Sequence, residues 1–380
     1  MKYGHLERAK VTLKALSPVF IGSGESLTKK EYIFDPAKGL VHIPDLTKLI
    51  GFLKQRSLLP RYEKYLIHPR NNDLRIFLQE CNIGEKDYAA FIRYSIEAGE
   101  AAKANNFREV LTFVKGPEGK PYIPGSSLKG AIRTALAAKL MQNGNWSNLR
   151  NSIEAGADNF RGLRTYLKQE SNKTEQYVFG RLEIKDPKDP ARSIPAPIND
   201  VMRGIQVSDS TPLEYDNLIL TGKYERKPDG TVKVLPIFRE CLQPGSKAHF
   251  IMTLEIPILA KAGITLEFIE EALHAFADQH YAVFEEHFKE LPQDAPLAAE
   301  KGVDIILGGG AGYVSKTITY NLFPERKKAL SLVTKILDKQ FPNHKHTKDS
   351  SIYKVSPRIL KTAMYQNCYY QMGRCELIFN

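Results

Sequence analysis

The sequence predicts an α+β fold built in two halves. Candidate strands and helices mix in the order β, ββ, α, α, β, followed by a second set in the order β, α, β, α, β. The strands are short and the hairpins numerous, which disfavours a doubly wound Rossmann sheet. With 380 residues, of which 42% are hydrophobic, the chain is long enough to bury two modest cores.

The first half opens on a predicted strand over residues 11–21, VTLKALSPVFI, which Gly22 and Gly24 are expected to end. The runs EYIF and LVHI, separated by DPAKG, then predict a hairpin. Residues 87–115 have a helical pattern of apolar residues. A second helix follows, in which Ser126 or Ser127 is the expected N-cap and the buried stripe recurs every four residues at Leu128, Ile132, Leu136 and Leu140.

A proline-rich stretch over residues 185–200 predicts an extended or mobile loop. The run IQVSDSTPL then predicts a strand, and the basic segment up to Phe238 predicts a hairpin that turns at Pro228-Asp229-Gly230. A new unit is expected to begin near Cys241.

In this second half KAHFIMTLEI predicts a strand, and the apolar spacing from Leu266 to Phe288 predicts a long amphipathic helix. The apolar strand VDIIL precedes the run GGGAGYVSKT. A helix over residues 325–340, a polar loop over residues 342–351 and a hairpin around Met372-Gly373 complete the predicted order.

Charge is unevenly distributed along the chain. The formal net charge of +11 and the isoelectric point near 9.2 favour a polyanionic partner. Residues 262–304 carry a net charge of −8, whereas residues 321–361 carry +7. A polyanion would approach the second segment and avoid the first, although two solvated faces of opposite charge would give the same pattern.

Several classes of protein are not supported by the sequence. No apolar run is long enough to cross a bilayer and MKYGHLERAK has no signal-peptide core, so we expect a cytoplasmic protein with no membrane partner. The four cysteines contain no CxxC pair and the nine histidines no HExxH motif, so no metal or other cofactor is expected. A metal-independent ribonuclease with a histidine acid or base stays open.

Two motifs have the chemistry of an anion site. Gly308, Gly309, Gly310 and Gly312 follow a strand, and such a loop can present backbone N–H groups to phosphate, with Lys316 close by. The alternative is a glycine-rich tight turn. The helix GSSLKGAIRTAL combines a free N-terminus and the hydroxyls of Ser126 and Ser127 with two cations on one face, Lys129 and Arg133. An ordinary amphipathic helix is the alternative there.

Four segments in this order resemble the RAMP superfamily of CRISPR-associated proteins: SPVFIGSGE, YIPGSSLKGAIRTAL, IQVSDS and ILGGGAGYVSKT. Their spacing most resembles the family of the fifth subunit of type III-A (Csm) effector complexes. The resemblance implies two ferredoxin-like domains, related to the RNA-recognition motif and carrying insertions. We expect them over residues 1–240, with a helical insertion, and residues 241–380, with the glycine-rich loop.

The resemblance also implies a function and a set of RNA-binding residues. It implies a non-catalytic subunit that caps the 3′ end of the crRNA, contacts neighbouring Csm backbone subunits and target RNA indirectly, and assists crRNA maturation, with host nucleases as possible trimming partners. A histidine endoribonuclease and a basic interaction protein stay as alternatives. The implied RNA-binding residues are Gly308, Gly309, Gly310, Gly312, Tyr313, Lys316, Ser126, Ser127, Lys129, Arg133, Gly22, Ser23 and Gly24.

Overall fold

A computed structural model describes residues 4–69, 73–103, 109–142, 144–160, 162–189, 196–288, 297–298 and 302–380. Within these ranges the strands form two sheets, one of five strands and one of nine. No helix in the described ranges has both the length and the apolar character that a bilayer span requires.

The strands are, in chain order, β1 (Leu6–Ala15), β2 (Gly22–Thr28), β3 (Ile33–Asp35), β4 (Leu40–Pro44), β5 (Ile92–Glu97), β6 (Glu109–Phe113), β7 (Ile205–Val207), β8 (Leu218–Arg226), β9 (Val232–Leu242), β10 (Lys247–Glu255), β11 (Ile305–Ile306), β12 (Leu360–Tyr365), β13 (Cys368–Gln371) and β14 (Arg374–Phe379). The α-helices are α1 (Leu46–Gln55), α2 (Leu59–Ile67), α3 (Leu74–Glu80), α4 (Gly125–Leu140), α5 (Ser147–Asn159), α6 (Leu163–Phe179), α7 (Ala196–Asn199), α8 (Ile256–Leu259), α9 (Leu266–Val283), α10 (Thr319–Leu322), α11 (Arg326–Gln340) and α12 (His346–Tyr353).

The five-stranded sheet has the strand order of a ferredoxin-like domain. Its order is β11-β14-β1-β10-β7, and its neighbouring strands are antiparallel. In the chain, α4 lies between β6 and β7, and α9 lies between β10 and β11. The two helices pack against each other. Leu13, Leu128, Met252 and Ile269 are buried in the core that results.

The nine-stranded sheet forms the second half of the fold. Its main path is β2-β6-β9-β8-β5-β4-β3, and β12 and β13 extend it from β8. The predicted hairpins β3–β4 and β8–β9 are confirmed. Helices α1 to α3 lie between β4 and β5 in the chain and form a separate small core around Leu53, Phe77 and Phe91. The α+β class in two sheet-based halves is therefore confirmed, with a ferredoxin-like strand order in the five-stranded sheet.

The sheets do not follow the expected boundary near residue 240. The five-stranded sheet takes β1 and β7 from one side of it and β10, β11 and β14 from the other. Strand β9 runs through residue 240 itself, and β12 joins β8 across it. The division into residues 1–240 and 241–380 stays a prediction that the sheet pairing does not support.

Two predictions in the first half are wrong. The opening strand ends at Ala15, and Gly22 begins β2 instead of ending β1. The predicted helix over residues 87–115 is not formed: the described part of this stretch contains β5, β6 and short 3-10 turns at residues 87–90 and 99–103, and residues 104–108 lie outside the described ranges. The physical reason is period-two burial, since Tyr94 and Ile96 alternate with more exposed residues along β5 while β5 pairs with β4 and β8.

Three further predictions need correction. Residues 342–351 include most of helix α12, whose first N–H groups, those of His346 and Thr347, donate to the Asp338 carboxylate. The last hairpin is β12–β13, which turns at two residues with positive φ, Gln366 and Asn367, whereas β13 and β14 belong to different sheets. Within the proline-rich stretch over residues 185–200, residues 196–199 form α7 and residues 190–195 lie outside the described ranges.

Candidate nucleic-acid interface

Three segments that are distant in the sequence meet at one cleft of about 400 Å³. They are the start of β2, the first turns of α4 and the glycine-rich loop after β11. The lining residues are Ile21, Gly22, Ser126, Ser127, Gly130, Ala131, Thr134, Ile306, Leu307, Gly308, Gly309, Ser315 and Lys316. Six of the thirteen predicted site residues are thereby brought together: Gly22, Ser126, Ser127, Gly308, Gly309 and Lys316.

The glycine-rich loop is fixed against the segment between β1 and β2. The Gly309 N–H donates to the Phe20 carbonyl at 2.7 Å. Gly308 has φ +87°, and a Cβ atom there would lie 2.3 Å from the same carbonyl oxygen. Glycine at position 308 is therefore required by close backbone packing, whatever the loop binds.

The N-terminus of α4 is capped differently from the prediction. Ser126 and Ser127 lie inside the helix, Pro124 is the N-cap, and the Gly125 N–H donates to the Asp209 carboxylate at 2.8 Å. A Cβ atom at Gly125 would lie 2.3 Å from the Val207 carbonyl oxygen, so glycine is needed for this close approach. A phosphate in the cleft would therefore meet the hydroxyls of Ser126 and Ser127, because Asp209 already holds the first helical N–H.

Helix α4 presents small side chains to the cleft. Ser126, Ser127, Gly130, Ala131 and Thr134 recur at helical spacing and line one wall. Gly130 is exposed, and a Cβ atom there would have no neighbour within 4 Å. Such a wall lets a polymer backbone approach closely while offering hydroxyl hydrogen bonds.

Lys129 and Arg133 are not among the residues that line the cleft. The Lys129 ammonium donates to the Ile205 carbonyl at 2.6 Å, and desolvation lowers its pKa. Arg133 pairs with Asp200 at 2.7 Å and with Glu175 at 2.9 Å. These two cations therefore tie α4 to its neighbours, although their RNA-binding role stays a prediction.

The other five predicted residues are not among those that line the cleft: Ser23, Gly24, Gly310, Gly312 and Tyr313. Ser23 lines a different cleft of about 660 Å³, where its hydroxyl bonds that of Thr112 at 2.6 Å. Gly24 and Gly312 have positive φ with open space around them, and a Cβ atom at Gly310 would lie 2.3 Å from Arg239 Nη1. Tyr313 lines a pocket beside the cleft. Lys316 is exposed where the cleft and that pocket join, and desolvation lowers its pKa.

Arg239 lies beneath the glycine-rich loop and was not expected from the motifs. Its side chain is buried, with the guanidinium carbon 5.2 Å from the centre of the Phe20 ring and Nη1 3.3 Å from the Met372 sulfur. Desolvation lowers its pKa. A cation in the apolar strand run IFRECL was the signal that sequence reasoning could have used.

The neighbouring residue, Glu240, organises the strands behind the cleft. Its fully buried carboxylate accepts from the Tyr94 hydroxyl at 2.7 Å, the Phe113 N–H at 2.7 Å and the Lys115 ammonium at 2.6 Å. Burial, reinforced by Glu240, raises the pKa of Tyr94. Because Phe113 pairs with Gly22 across β6 and β2, this network holds the rim of the cleft.

Ion pairs reduce the charge contrast expected from the sequence. In the basic segment Lys335 pairs with Asp158, Arg358 with Asp349 and Lys361 with Glu225. In the acidic segment the Glu285 carboxylate pairs with Arg374 and is hydrogen-bonded to His280 Nδ1. Part of that segment, residues 289–296 and 299–301, lies outside the described ranges.

None of the histidines in the described ranges lines the cleft. His280 is buried beside Glu285 at 2.6 Å, and desolvation lowers its pKa to about 3. His274, on α9, has its Nδ1 atom 3.0 Å from Asp304 Oδ1. Within the described ranges no group of three or more histidine, cysteine or carboxylate side chains could hold a metal ion.

Known proteins resemble the chain along nearly its whole length. Proteins called "CRISPR system Cms protein Csm5" are 28% identical in Mycobacterium tuberculosis H37Rv, covering 98% of each chain, and 26% identical in Enterococcus italicus, covering 97% of each. The protein of that name from Streptococcus thermophilus is 31% identical over 81% of this chain and 79% of its own.

Solved structures show the same fold. A chain from the cryo-EM structure of a type III-A Csm–crRNA–target RNA ternary complex superposes with a TM-score of 0.66 at 21% identity, covering 97% of this chain and all of that one. The crystal structure of T. onnurineus Csm5 gives a TM-score of 0.62 at 20% identity, covering 96% and 99%. The family model of the RAMP superfamily matches residues 12–315. The chain therefore belongs to the RAMP superfamily and, within it, to the Csm5 family of CRISPR systems.

Proposed function

We propose that this protein is a guide-RNA-binding subunit of a type III-A CRISPR effector complex in antiviral defence. The observation that carries the proposal is the convergence of three motifs, at Gly22, Ser126-Ser127 and Gly308-Gly309, on one cleft beside Lys316. Membership of the Csm5 family and the RNA complex that contains a chain of the same fold support it.

The cleft suits a sugar–phosphate backbone better than a base edge. Its α4 wall consists of small residues and hydroxyls, Lys316 stands at one end, and the whole chain has a net charge of +11. Contacts of this kind neutralise and position a strand without reading its sequence. A subunit of an RNA-guided complex has to hold guides of any sequence, so sequence-independent contacts fit that role.

We further propose that the subunit caps the 3′ end of the crRNA, in the cytoplasm, next to Csm backbone subunits. It would assist crRNA maturation by holding the guide while other nucleases, such as host enzymes, trim it, and it would meet target RNA only indirectly. Purification of the intact complex tests this. RNA of fixed length should accompany the complex, and removal of this subunit should change the position of the crRNA 3′ end. RNA absent from the complex would favour a purely protein-binding role.

Salt dependence should reveal phosphate contacts directly. Because single-stranded RNA releases counterions when phosphates are neutralised, log affinity should fall linearly with log salt concentration, with a slope of about 0.7 per phosphate contact. Fluorescence anisotropy with a labelled single-stranded RNA at several salt concentrations measures the slope. A slope near zero would contradict a phosphate-binding cleft and would indicate stacking or a protein partner.

Catalysis by histidine should be absent. We expect that any RNA trimming by the purified protein survives replacement of each of the nine histidines by alanine, because the described cleft has no histidine in its lining. Cleavage assays on each variant, with RNA affinity and thermal midpoint measured in parallel, test this. His280→Ala needs the stability control most, because that side chain is buried. A variant that binds RNA and folds normally but no longer cleaves would establish an enzyme.

A further inference from the structure

The side chain of Arg239 on β9 is buried beneath the glycine-rich loop without a carboxylate partner among the described residues. It is 8% exposed, and its one hydrogen bond within the described ranges runs from Nη1 to the Met372 sulfur at 3.3 Å. A thioether sulfur is a weak acceptor, and the nearby Phe20 ring offers a cation–π contact in place of an ion pair. The buried Nε atom has no hydrogen-bond partner in the same ranges. Because arginine stays protonated in proteins, this burial costs folding free energy that no described carboxylate offsets.

The residues that follow Arg239 in β9 do not compensate its charge. Glu240 is the next residue, so its side chain leaves the opposite face of the strand, and its carboxylate accepts from the three donors described above. Cys241 is fully buried, and desolvation raises the pKa of its thiol to about 12, so the thiol stays neutral. Neither neighbour is therefore a counter-ion for the guanidinium.

Two lysines on the adjoining strands add to the positive charge. The pKa of Lys223 on β8 is lowered by desolvation and, to a smaller extent, by the nearby charges of Lys361 on β12 and of Arg239. Glu225 pairs with Lys361 and lies 3.6 Å from Lys223. Three cations on β8, β9 and β12 thus share one carboxylate, so this part of the sheet has an excess of positive charge.

Arg239 contacts the loop that lines the cleft. A Cβ atom at Gly310 would lie 2.3 Å from Arg239 Nη1, while Gly308 and Gly309 line the cleft itself. The guanidinium lies against a small apolar core of four buried residues, Phe20, Cys241, Ala363 and Met372. Apolar surroundings screen an electric field only weakly, so the charge of Arg239 acts across the loop on an occupant of the cleft.

We propose that Arg239 is a positioning residue for RNA: its charge, held under the glycine-rich loop, draws a phosphate of the bound strand onto the loop. This inference rests on the proposed function. The phosphodiester supplies the negative charge that the described residues lack, and Arg239 acts on it through the loop without touching it. Because every nucleotide carries the same phosphate, the effect is independent of sequence, as a guide-binding subunit requires.

Arg239→Met tests the inference in the full-length protein. Methionine keeps an unbranched side chain that can pack beside Phe20 and Met372, but it removes the charge. We expect the thermal midpoint to stay or rise, since an apolar side chain does not pay the desolvation cost of a buried, unpaired charge. Affinity for a labelled single-stranded RNA, measured by anisotropy at low, fixed salt, should fall by about fivefold or more. The slope of log affinity against log salt concentration should become smaller.

Lys54→Met is the matched control for net charge. Lys54 is exposed on α1, whose buried side belongs to the separate small core around Leu53, so its loss should change RNA affinity by less than about twofold. Equal losses in the two variants would attribute the effect to overall charge and overturn the role of Arg239. A fall in the thermal midpoint of Arg239→Met would also overturn it, because the guanidinium would then be compensated within the protein.

The RNA affinities also separate this inference from the proposed function. If Arg239→Met binds RNA as tightly as wild type does, the positioning role is wrong and the proposed function stands. If the wild-type protein binds no RNA, both are wrong.

Discussion

Gly130→Glu is expected to lower the affinity for single-stranded RNA by tenfold or more, a loss of about 1.4 kcal/mol or above. Gly130 lines the cleft on α4, is exposed, and leaves open space where a side chain would begin. A glutamate there would place a carboxylate beside the expected path of the phosphates, where like charges repel. RNA affinity measured by anisotropy at low, fixed salt gives the largest effect, because added salt screens the repulsion.

Gly130→Gln and Gly130→Ala are the matched controls. Glutamine has the length of glutamate without its charge, so it should cost much less affinity. Alanine should bind RNA as wild type does and raise helix stability by up to about 1 kcal/mol, since glycine is a poor residue in a helix interior. If the glutamate and glutamine variants lose affinity equally, the wall of α4 is restricted by size and not by phosphate charge. If all three bind as wild type, RNA does not enter this cleft.

The glycine and serine motifs that line the cleft could be identified from the sequence because each has a strong local signal. Glycines directly after a strand and paired serines at a helix start indicate anion chemistry without reference to any neighbour. That these segments meet at one cleft could not be predicted in the same way. It depends on β1 pairing with both β10 and β14, and on α4 packing along α9, contacts between residues that are distant in the chain.

Contacts with residues distant in the chain also explain why the local expectations for α4 differ from the structure. Ser126 and Ser127 satisfied the local rule for an N-cap, but Asp209 supplies the carboxylate from more than eighty residues away. Lys129 and Arg133 share a helical face as expected, yet Ile205 and Asp200 occupy that face. A sequence pattern fixes which side chains lie together on a helix, whereas tertiary packing decides what each face meets.

Charged residues within apolar stretches of the sequence are further signals, which the motifs do not include. Glu240 and Arg239 are adjacent in a buried strand, and Glu170 lies on a face of α6 that is otherwise buried with Tyr166 and Val178. Burial of a charge is expensive unless a partner compensates it. Such positions therefore indicate a network or a ligand, and here they outline the rim of the cleft, the floor of the glycine-rich loop and the adjoining pocket.

The glycine-rich loop combines structural and proposed binding roles at different positions. A side chain at Gly310 would collide with Arg239, so an aspartate there would meet a buried cation before it met any phosphate. Gly310 is therefore a poor place to test RNA binding. Gly308 and Gly312 form a better pair, because both have positive φ, +87° and +94°, while only Gly308 is closely packed.

Gly308→Ala should destabilise the protein by about 2 kcal/mol or more, and Gly312→Ala by about 1 kcal/mol. Both variants force an L side chain into the left-handed region. This backbone strain alone accounts for the loss of about 1 kcal/mol expected for Gly312→Ala. At Gly308 the new Cβ atom would also lie 2.3 Å from the Phe20 carbonyl oxygen, so the loop or the segment before β2 has to move. Chemical denaturation of the two variants and the wild type measures the difference.

RNA affinity of the folded variants then distinguishes a binding loop from a structural turn. Moving the loop away from Phe20 would break the hydrogen bond of the Gly309 N–H and displace two lining residues, so Gly308→Ala should lose RNA affinity beyond any loss of folded protein. Gly312→Ala should retain RNA affinity, because its Cβ atom enters open space outside the cleft lining. If folded Gly308→Ala protein binds RNA as tightly as wild type, the loop is only a turn. In that case Ser126, Ser127 and Lys316 would have to hold the strand without it, since they line the same cleft from α4 and from beyond the loop.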